Sequence, residues 1–213
     1  STFLYIGDEN KKFYRYYGVP ERRLFFAPYA VDNSHFMTAS RLLVKKRASL
    51  RQKMGIGEND VVVLFVGKLI EKKRPFDLLK AYDQLITHNS ELKTRTALLF
   101  VGDGALRSEL ENYAKQHTLN NIHFVGFRNQ TELPQYYTIA DIFVLPSGAG
   151  ETWGLVVNEA MCASLPVIVS NIVGCSADLV RQGVNGYLFS VGAVEELSEQ
   201  LIVLITNPAV RKK

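Results

Sequence analysis

Two glutamates, Glu151 and Glu159, are separated by seven residues in the segment Gly-Glu-Thr-Trp-Gly-Leu-Val-Val-Asn-Glu. Glycines on both sides of the first glutamate let the backbone approach a ligand closely; they are Gly148, Gly150 and Gly154. The helix pattern that follows presents unpaired N–H groups and a positive dipole end, which both suit phosphate oxygens. One carboxylate lies in the loop and the other about two turns up the helix, so they would reach different parts of one elongated ligand. The arrangement predicts a site for a phosphorylated sugar, with neutral hydroxyls as the natural partners of the carboxylates.

Strand and helix patterns alternate beyond residue 60, which is typical of a parallel sheet covered by helices on both faces. Predicted strands cover residues 61–66, 97–101, 122–125, 142–145, 166–169 and 186–189. Predicted helices cover residues 76–87, 106–117, 131–139, 155–163, 176–181 and 194–205. Pro134 is expected to interrupt the third helix early. Five or six strands with right-handed crossovers predict an α/β fold with a doubly wound, Rossmann-like parallel sheet.

The first sixty residues follow this alternation less cleanly. Residues 4–6 and 25–26 are predicted strand ends, residues 11–17 an aromatic helix and residues 27–32 a connector. The segment therefore predicts a junction between two units. Because the chain starts without methionine and stops without a helix end signal, we expect it to be a fragment of a longer protein.

Composition places the chain among ordinary globular proteins. It has 213 residues, of which 47% are hydrophobic and 22% are charged, enough for one core. No apolar run reaches the roughly 18 residues of a membrane span, and the N-terminal residues lack a signal-peptide pattern. Cys162 and Cys175 are too few for a disulfide framework or a metal site. We therefore expect a soluble protein of the reducing cytoplasm.

A run of cations covers residues 41–53, which contain no acidic residue. Its members are Arg41, Lys45, Lys46, Arg47, Arg51 and Lys53. The run could rest on an anionic membrane, which would place the protein at the inner face of that membrane through peripheral contact. Its interleaved apolar residues also suit a helix that packs on one side and is solvated on the other, and we favour this interpretation. No nucleic-acid partner is expected, because aromatic–basic interleaving and zinc-finger spacing are absent.

Two common nucleotide motifs do not fit the glycine-rich loops. The segment that begins at Gly148 has tryptophan where the dinucleotide fingerprint has its third glycine, and the segment that begins at Gly102 fails at the same place. Gly67 and Lys68 are like the end of the phosphate-binding loop of ATPases, yet Leu69 stands at the Ser/Thr position. The sequence therefore disfavours a hydride-transfer enzyme and excludes an ATPase of that kind.

Several segments together resemble a known family. The paired glutamates in their setting resemble the motif of retaining glycosyltransferases of the GT-B fold, specifically glycosyltransferase family 4, also called group 1. Further blocks agree in order and spacing: Phe-Val-Gly-Lys-Leu at 65–69 followed by Lys73, Phe-Val-Gly-Asp-Gly at 100–104, Val-Gly-Phe at 125–127, Ala-Asp-Ile-Phe-Val-Leu-Pro-Ser at 140–147, Leu-Pro-Val-Ile-Val at 165–169 and Asn-Gly-Tyr-Leu at 185–188. The match runs from about residue 27 to about residue 204, which makes it more specific than any single motif.

The resemblance implies catalytic roles for three charged residues. Lys68 and Lys73 would hold the diphosphate of a nucleotide-sugar and stabilise negative charge on the leaving group. Glu151 would bind hydroxyls of the donor sugar and orient it, and Glu159 would bind the two ribose hydroxyls. Lys68 stands where arginine is common, so charge is kept but bidentate contact is lost. Without the resemblance, the lysines fit a solvated surface, Glu151 a favourable charge at a helix start and Glu159 an exposed helix residue.

The resemblance also implies a donor-binding set that acts largely through backbone groups. That set is Gly67, Gly126, Phe127, Thr152, Trp153, Gly154, Leu155 and Glu159. The turn at 126–127 would contact the base, and the N–H groups of 153–155 would contact phosphate and sugar. The Trp153 ring also suits simple packing, residues 102–104 suit a tight turn at the edge of the site, and Cys175 is given no catalytic role. No metal and no cofactor is expected, the nucleoside-diphosphate sugar being a substrate.

Enzymes of this family have two Rossmann-like domains, and the chain resembles the second, donor-binding half of a GT-B fold. Residues 1–27 would be the end of the acceptor domain and a connector, and residues 28–213 the donor-binding domain. The resemblance implies a retaining hexosyltransferase of polysaccharide or glycoconjugate biosynthesis, with a saccharide or lipid-linked acceptor bound through the missing N-terminal domain. The isolated chain is then expected to be inactive. A nucleotide-sugar epimerase of GT-B architecture and a non-catalytic nucleotide-sugar binding module stay open as alternatives.

Overall fold

The computed structural model describes residues 1–211 of the chain. Within that range, the strands are β1 (Phe3–Tyr5), β2 (Leu24–Phe26), β3 (Val61–Val66), β4 (Thr96–Val101), β5 (Ile122–Gly126), β6 (Ile142–Leu145), β7 (Val167–Ser170) and β8 (Gly186–Phe189). The helices are α1 (Asp8–Tyr16), α2 (Asn33–Leu43), α3 (Arg47–Lys53), α4 (Pro75–His88), α5 (Arg107–Gln116), α6 (Leu133–Ile139), α7 (Leu155–Cys162), α8 (Ser176–Leu179), α9 (Val194–Thr206) and α10 (Pro208–Arg211).

Strands β3 to β8 form one parallel sheet in the order β5-β4-β3-β6-β7-β8. The central strands are nearly continuous apolar runs, and every residue of β4 and β6 is buried. Such runs suit a parallel sheet that is covered on both faces. The predicted α/β, doubly wound, Rossmann-like sheet is therefore confirmed.

Successive residues of each central strand pack alternately into two separate cores, one on each face of the sheet. Val62 and Leu64 of β3 pack on the side of α2, α6 and α7, whereas Val63 and Phe65 pack on the side of α4, α5 and α9. This period of two follows from the pleat of the strand. Helices on both sides bury the sheet and hold the ends of its strands in place.

The order of the strands reverses at β3. The chain moves outward through β4 and β5, returns to β6 on the other side of β3, and moves outward again through β7 and β8. Ligands of such sheets bind in the crevice outside the carboxyl ends of the strands at this reversal. The loops that follow β3 and β6 carry Lys68, Lys73 and Glu151, so the fold brings the predicted site residues to that crevice.

The first 26 residues form a separate small layer, with β1 and β2 paired in parallel and α1 between them in the chain. This layer contacts the larger unit at the start of α1, where the Asp8 N–H donates to both carboxylate oxygens of Asp178 at 3.2 and 3.1 Å. Gly7 is required here, because a Cβ would lie only 2.5 Å from the Trp153 ring. The predicted helix of this segment is present but begins at Asp8, three residues earlier than expected.

Two details correct the sequence interpretation. Pro134 does not interrupt a helix: α6 begins at Leu133, with Pro134 in its first turn, where its missing N–H would have no intrahelical partner. The cations of the basic run do not all lie on one solvated face. Arg51 is 1% exposed, Arg47 is half-buried, and both pair with Asp141. No helix among residues 1–211 is both long and apolar enough to cross a membrane.

Candidate functional site

Three loops meet at the carboxyl ends of β3, β4 and β5 and are tied by backbone hydrogen bonds. The Gly67 N–H donates to Val101 O at 3.0 Å, and the Gly102 N–H donates to Gly126 O at 2.9 Å. A Cβ on Gly102 would overlap the carbonyl oxygen of Gly67, so only glycine permits this approach. The turn at 102–104 is therefore a structural part of the site.

These loops enclose a cavity of about 530 Å³. Its lining residues are Val66, Gly67, Lys68, Val101, Gly102, Asp103, Gly104, Phe127, Arg128 and Leu133. Three predicted site residues, Gly67, Lys68 and Phe127, thus line one cavity, and Gly126 ends the strand beside it. Aliphatic side chains, the exposed Phe127 ring and two cations, Lys68 and Arg128, suit a flat ring that carries a negatively charged group.

Arg128 of this cavity was missed by sequence reasoning. Its Nε donates to the Tyr136 hydroxyl at 2.8 Å, and its Nη1 donates to the carbonyl oxygen of Phe127 at 2.9 Å. These bonds fix the turn after β5, and the hydroxyl raises the pKa of the arginine. Its position directly after the Val-Gly-Phe block was the available signal.

Lys73 and Glu151 form an ion pair across the crevice between the loops after β3 and β6. Their side chains are 18% and 11% exposed, so the pair is shielded but still reachable. A Cβ on Gly67 would lie 3.9 Å from Cδ of Lys73, which places the lysine stem beside the cavity loop. The Gly148 N–H donates to Lys72 O at 2.7 Å and ties the two loops together. The fold thus joins two predicted catalytic residues that are 78 positions apart.

The start of α7 offers free backbone donors. Among residues 1–211, no acceptor is present for the N–H groups of Trp153, Gly154 and Leu155. Gly154 adopts φ 92 and ψ 56, and a Cβ there would lie 2.9 Å from Leu145 Cδ2. Thr152 is exposed beside them. Donors at a helix start, with the positive dipole end behind them, are suited to an anion.

The side chain of Trp153 packs instead of facing the crevice. It is 6% exposed, and its Nε1 donates to Asn158 Oδ1 at 2.9 Å. The loop before α8 holds the Trp153 backbone, since the Cys175 N–H donates to Trp153 O at 3.0 Å. Burial raises the pKa of the Cys175 thiol to about 12, so the buried thiol is poorly suited to act as a nucleophile.

Glu159 lies on α7 with only 5% exposure, so its interpretation as an exposed helix residue is wrong. The Tyr137 hydroxyl donates to Glu159 Oε2 at 2.7 Å. Burial raises the pKa of Glu159, and the tyrosine hydrogen bond opposes that shift. Burial and the neighbouring carboxylate together raise the pKa of Tyr137 well above its ordinary value. Tyr137 was not singled out in the sequence, because nothing in its local pattern differs from that of Tyr136.

The predicted residues therefore fall into two neighbouring groups. Gly67, Lys68 and Phe127 line the cavity, with Gly126 beside it. Glu151 pairs with Lys73, and the remaining predicted residues follow Glu151 in the chain into α7. Among the described residues, no group of three or more His, Cys, Asp or Glu side chains could hold a metal ion.

Comparisons with known proteins identify the family of the chain. The sequence profile of the family described as glycosyl transferases group 1 matches residues 46–213. Spore coat protein SA of Bacillus subtilis is 33% identical over 151 residues, covering 68% of this chain and 38% of its own length. D-inositol 3-phosphate glycosyltransferase of Thermobifida fusca is 27% identical over 212 residues, covering 97% of this chain and 47% of its own length. The chain thus spans less than half the length of these curated relatives.

A solved structure gives the same fold. The Anabaena protein HepE, in complex with UDP, superposes with a TM-score of 0.84 and 23% identity, covering 100% of this chain and 56% of HepE. Because the family profile covers most of the sequence and the sheet has the Rossmann-like architecture of GT-B glycosyltransferases, the chain belongs to the group 1 glycosyltransferase family.

Proposed function

We propose that the chain is the donor-binding domain of a retaining family 4 glycosyltransferase that transfers a sugar from a nucleoside-diphosphate sugar to an acceptor. The observation that carries the proposal is the Lys73–Glu151 pair at the strand-order reversal, beside a cavity lined by Lys68. The Lys73 ammonium is suited to phosphate and the Glu151 carboxylate to sugar hydroxyls, and the two groups are in contact. UDP is the first nucleotide to test, because structures of HepE contain UDP and UDP-glucose.

Each group has one task in this proposal. The base occupies the cavity against Phe127, and the buried Glu159 accepts from ribose hydroxyls. Lys68, Lys73 and the free N–H groups at the start of α7 meet the diphosphate and stabilise the charge that develops as the glycosidic bond breaks. Glu151 then orients the sugar for attack on the face that retains configuration. The ion pair keeps Lys73 in place before the phosphate arrives.

The acceptor would bind through a second domain, of which residues 1–27 are the end. Residues 1–26 expose large side chains that an isolated domain would be expected to cover: Leu4, Phe13, Tyr16, Tyr17, Phe25 and Phe26 are 52–83% exposed. An uncovered two-stranded sheet of this kind is not stable alone. A second domain would complete both the sheet and the cleft, so we expect no transfer by this chain by itself. The acceptor class we propose is a saccharide or a lipid-linked saccharide.

Peripheral contact with an anionic membrane is a further part of the proposal. At the end of α2 and in the turn after it, Leu42 and Val44 are 70% and 57% exposed, beside the exposed cations Arg41, Lys45 and Lys46. Each cation near an anionic surface contributes about 1 kcal/mol. The fraction of protein that cosediments with phosphatidylglycerol vesicles should fall in the double variant Lys45→Glu, Lys46→Glu. It should not fall in the control variant Lys115→Glu, which changes an exposed lysine of α5. Equal sedimentation of both variants would contradict membrane contact.

Two alternatives remain distinguishable. A nucleotide-sugar epimerase of GT-B architecture would release an epimer or a free sugar from the complete protein. A non-catalytic binding module would bind nucleotide without consuming any sugar. Transfer to an acceptor by the complete protein excludes both.

Calorimetric binding of UDP, GDP, ADP and UDP-glucose to this chain tests the donor site. Lys73→Ala should weaken UDP binding by about tenfold or more, since a charged hydrogen bond is worth about 1.5–3 kcal/mol. Lys115→Ala is the control and should change nothing. Glu151→Gln should weaken UDP-glucose but leave UDP unaffected or tighter, because Lys73 is released while sugar contacts are lost. If Lys73→Ala binds UDP as tightly as the unaltered chain, the proposed diphosphate site is wrong.

A further inference from the structure

Arg74 adopts an unusual backbone conformation directly before α4. Its φ of 49 and ψ of 45 lie in the left-handed region, where residues with a Cβ are uncommon. Such a conformation persists only where the surrounding structure determines it, and it concentrates at functional sites. Pro75 follows at the first position of the helix, so the chain turns sharply between Lys73 and α4.

The guanidinium of Arg74 is fixed by Asp77 on the first turn of α4. Nε donates to Asp77 Oδ2 at 2.6 Å, and Nη2 donates to Oδ1 at 3.1 Å. Asp77 is only 8% exposed, so this two-pronged pair is partly withdrawn from water. Bidentate pairs of this type are directional as well as strong. The side chain of Arg74 is therefore held at its tip as well as at its backbone.

The stem and tip of Arg74 contact two further loops. A Cβ on Gly148 would lie 3.2 Å from Cδ of Arg74, and a Cβ on Gly192 would lie 3.1 Å from Nη2. Glycine at both positions leaves space for the arginine. Arg74 thus lies where the loop after β3, the glycine loop after β6 and the loop after β8 come together.

Two of these loops carry residues proposed to meet the donor: Lys73 lies on the loop after β3 and Glu151 on the loop after β6. Lys73 directly precedes it and pairs with Glu151, and the Gly148 N–H donates to Lys72 O at 2.7 Å. We propose that Arg74 is a positioning residue: clamped by Asp77, it sets the spacing between the loops that carry Lys73 and Glu151. This role rests on the proposed function, since it assumes that the pair meets the diphosphate and the sugar.

The Arg74–Asp77 contact should affect the binding only of those ligand groups that reach the Lys73–Glu151 pair. In the proposed function a nucleoside monophosphate would occupy the cavity near Lys68, but it lacks the second phosphate and the donor sugar. If Arg74 only stabilised the fold, replacing it would lower the apparent affinities for both ligands equally, because less protein would be folded. The ratio of the two affinities therefore separates positioning from stability.

The experiment compares Arg74→Gly with the unaltered chain by calorimetry with UDP-glucose and with UMP, alongside thermal unfolding. Glycine keeps the left-handed backbone without strain and removes the clamp. UDP-glucose affinity should fall by about tenfold or more, as for other residues that orient ligand-contacting groups, while UMP affinity stays within about twofold. Asp77→Asn should reproduce this pattern. Thr118→Gly is the matched control, because Thr118 is exposed and also has a positive φ, 52, at the end of α5.

Each outcome has a defined meaning. Unchanged UDP-glucose affinity in Arg74→Gly, or an equal loss for both ligands, would overturn the positioning role and leave the proposed function intact. Absence of any nucleotide binding by the unaltered chain would contradict the proposed function itself. If Arg74→Gly does not fold, Arg74→Lys takes its place, because lysine keeps the charge and most of the stem but cannot form the bidentate pair with Asp77. The ratio of its UDP-glucose and UMP affinities then tests the positioning role in the same way.

Discussion

The Tyr137 hydroxyl and the Glu159 carboxylate form a buried hydrogen bond of 2.7 Å that joins α6 to α7. The bond gives the carboxylate an internal partner, which a buried charge needs. It also opposes the rise in the Glu159 pKa that burial causes. The partner of Glu159 is therefore present before any ligand binds, and the tyrosine fixes the direction in which its carboxylate faces.

Replacing Tyr137 with phenylalanine should weaken both folding and nucleotide binding. The carboxylate would lose a partner in a buried site, at a cost of about 1–3 kcal/mol in the free energy of unfolding. Nucleotide affinity should fall because Glu159 is no longer oriented towards the ribose. Thermal or urea unfolding and calorimetry with UDP measure the two effects.

Tyr82→Phe is the control for this prediction. The Tyr82 hydroxyl is also buried and donates to Thr96 O at 2.8 Å, but α4 places it on the other side of the sheet. Its loss should lower stability and leave UDP affinity unchanged. If Tyr137→Phe binds UDP like Tyr82→Phe, Tyr137 has no part in ligand binding.

Nucleotide affinity should rise with pH in the window just above 4.5, the ordinary pKa of glutamate. Burial raises the pKa of Glu159 in the folded protein, so the carboxylate proposed to accept from ribose hydroxyls ionises only above that ordinary value. The same shift acts oppositely on folding: its contribution to stability is full below 4.5 and is lost as pH rises through the folded-state pKa.

Calorimetry of UDP over this pH range, with Glu159→Gln as the reference, checks the prediction. Ionisation of the phosphates affects both proteins equally, so the difference between the two profiles reports Glu159 alone. Parallel profiles would show that Glu159 does not titrate in contact with the ligand.

The strands were the most predictable part of the molecule. The bounds of β3, β6 and β8 agree with the sequence prediction. The apolar runs of β3 and β6 leave little choice, because each follows an Asp and ends before a Gly or a Pro. The starts of α7, α8 and α9 and the end of α6 also agree, whereas the other predicted helix ends differ by one to three residues, since capping and Pro134 decide them locally.

Contacts between distant segments were not predictable from local pattern. Arg51 belongs to a charge run that resembles a solvated face, yet besides the nearby carbonyl oxygens of Glu58 and Asp60 it donates to Ile139 O and to Asp141, about 90 positions away. The Tyr137–Glu159 bond likewise depends on how α6 and α7 pack. Lys73 and Glu151 were predicted individually through family resemblance, whereas their pairing is a product of the fold.

Gly102→Ala should damage the cavity proposed to bind the nucleotide more than it damages the rest of the fold. Its Cβ would overlap the carbonyl oxygen of Gly67, so the loops after β3 and β4 must separate. We expect a loss of about 1–3 kcal/mol in stability and a clear loss of UDP affinity. Gly183→Ala isolates the backbone effect, because Gly183 also has a positive φ, 70, but nothing lies within 4 Å of its Cβ position. Similar UDP affinities in the two variants would contradict a nucleotide site at Gly102.

Arg51→Ala should be the most destabilising of these changes and should act at the amino ends of β3 and β6, at the opposite ends of the strands from the proposed donor site. The guanidinium is 1% exposed, donates to the carbonyl oxygens of Glu58, Asp60 and Ile139, and pairs with Asp141 Oδ2 at 2.6 Å. Removing it leaves Asp141 without one of its two arginines, a change that costs about 3–5 kcal/mol for buried pairs.

Arg47→Ala gives the matched comparison, since Arg47 pairs with the other oxygen of Asp141 but its side chain is 32% exposed. Its loss should cost clearly less, because water can replace part of what it contributes. Urea unfolding measures both, and UDP affinity of the folded fraction should be unchanged in each. A smaller loss of stability for Arg51→Ala than for Arg47→Ala would contradict the expectation that the more buried arginine contributes more to stability.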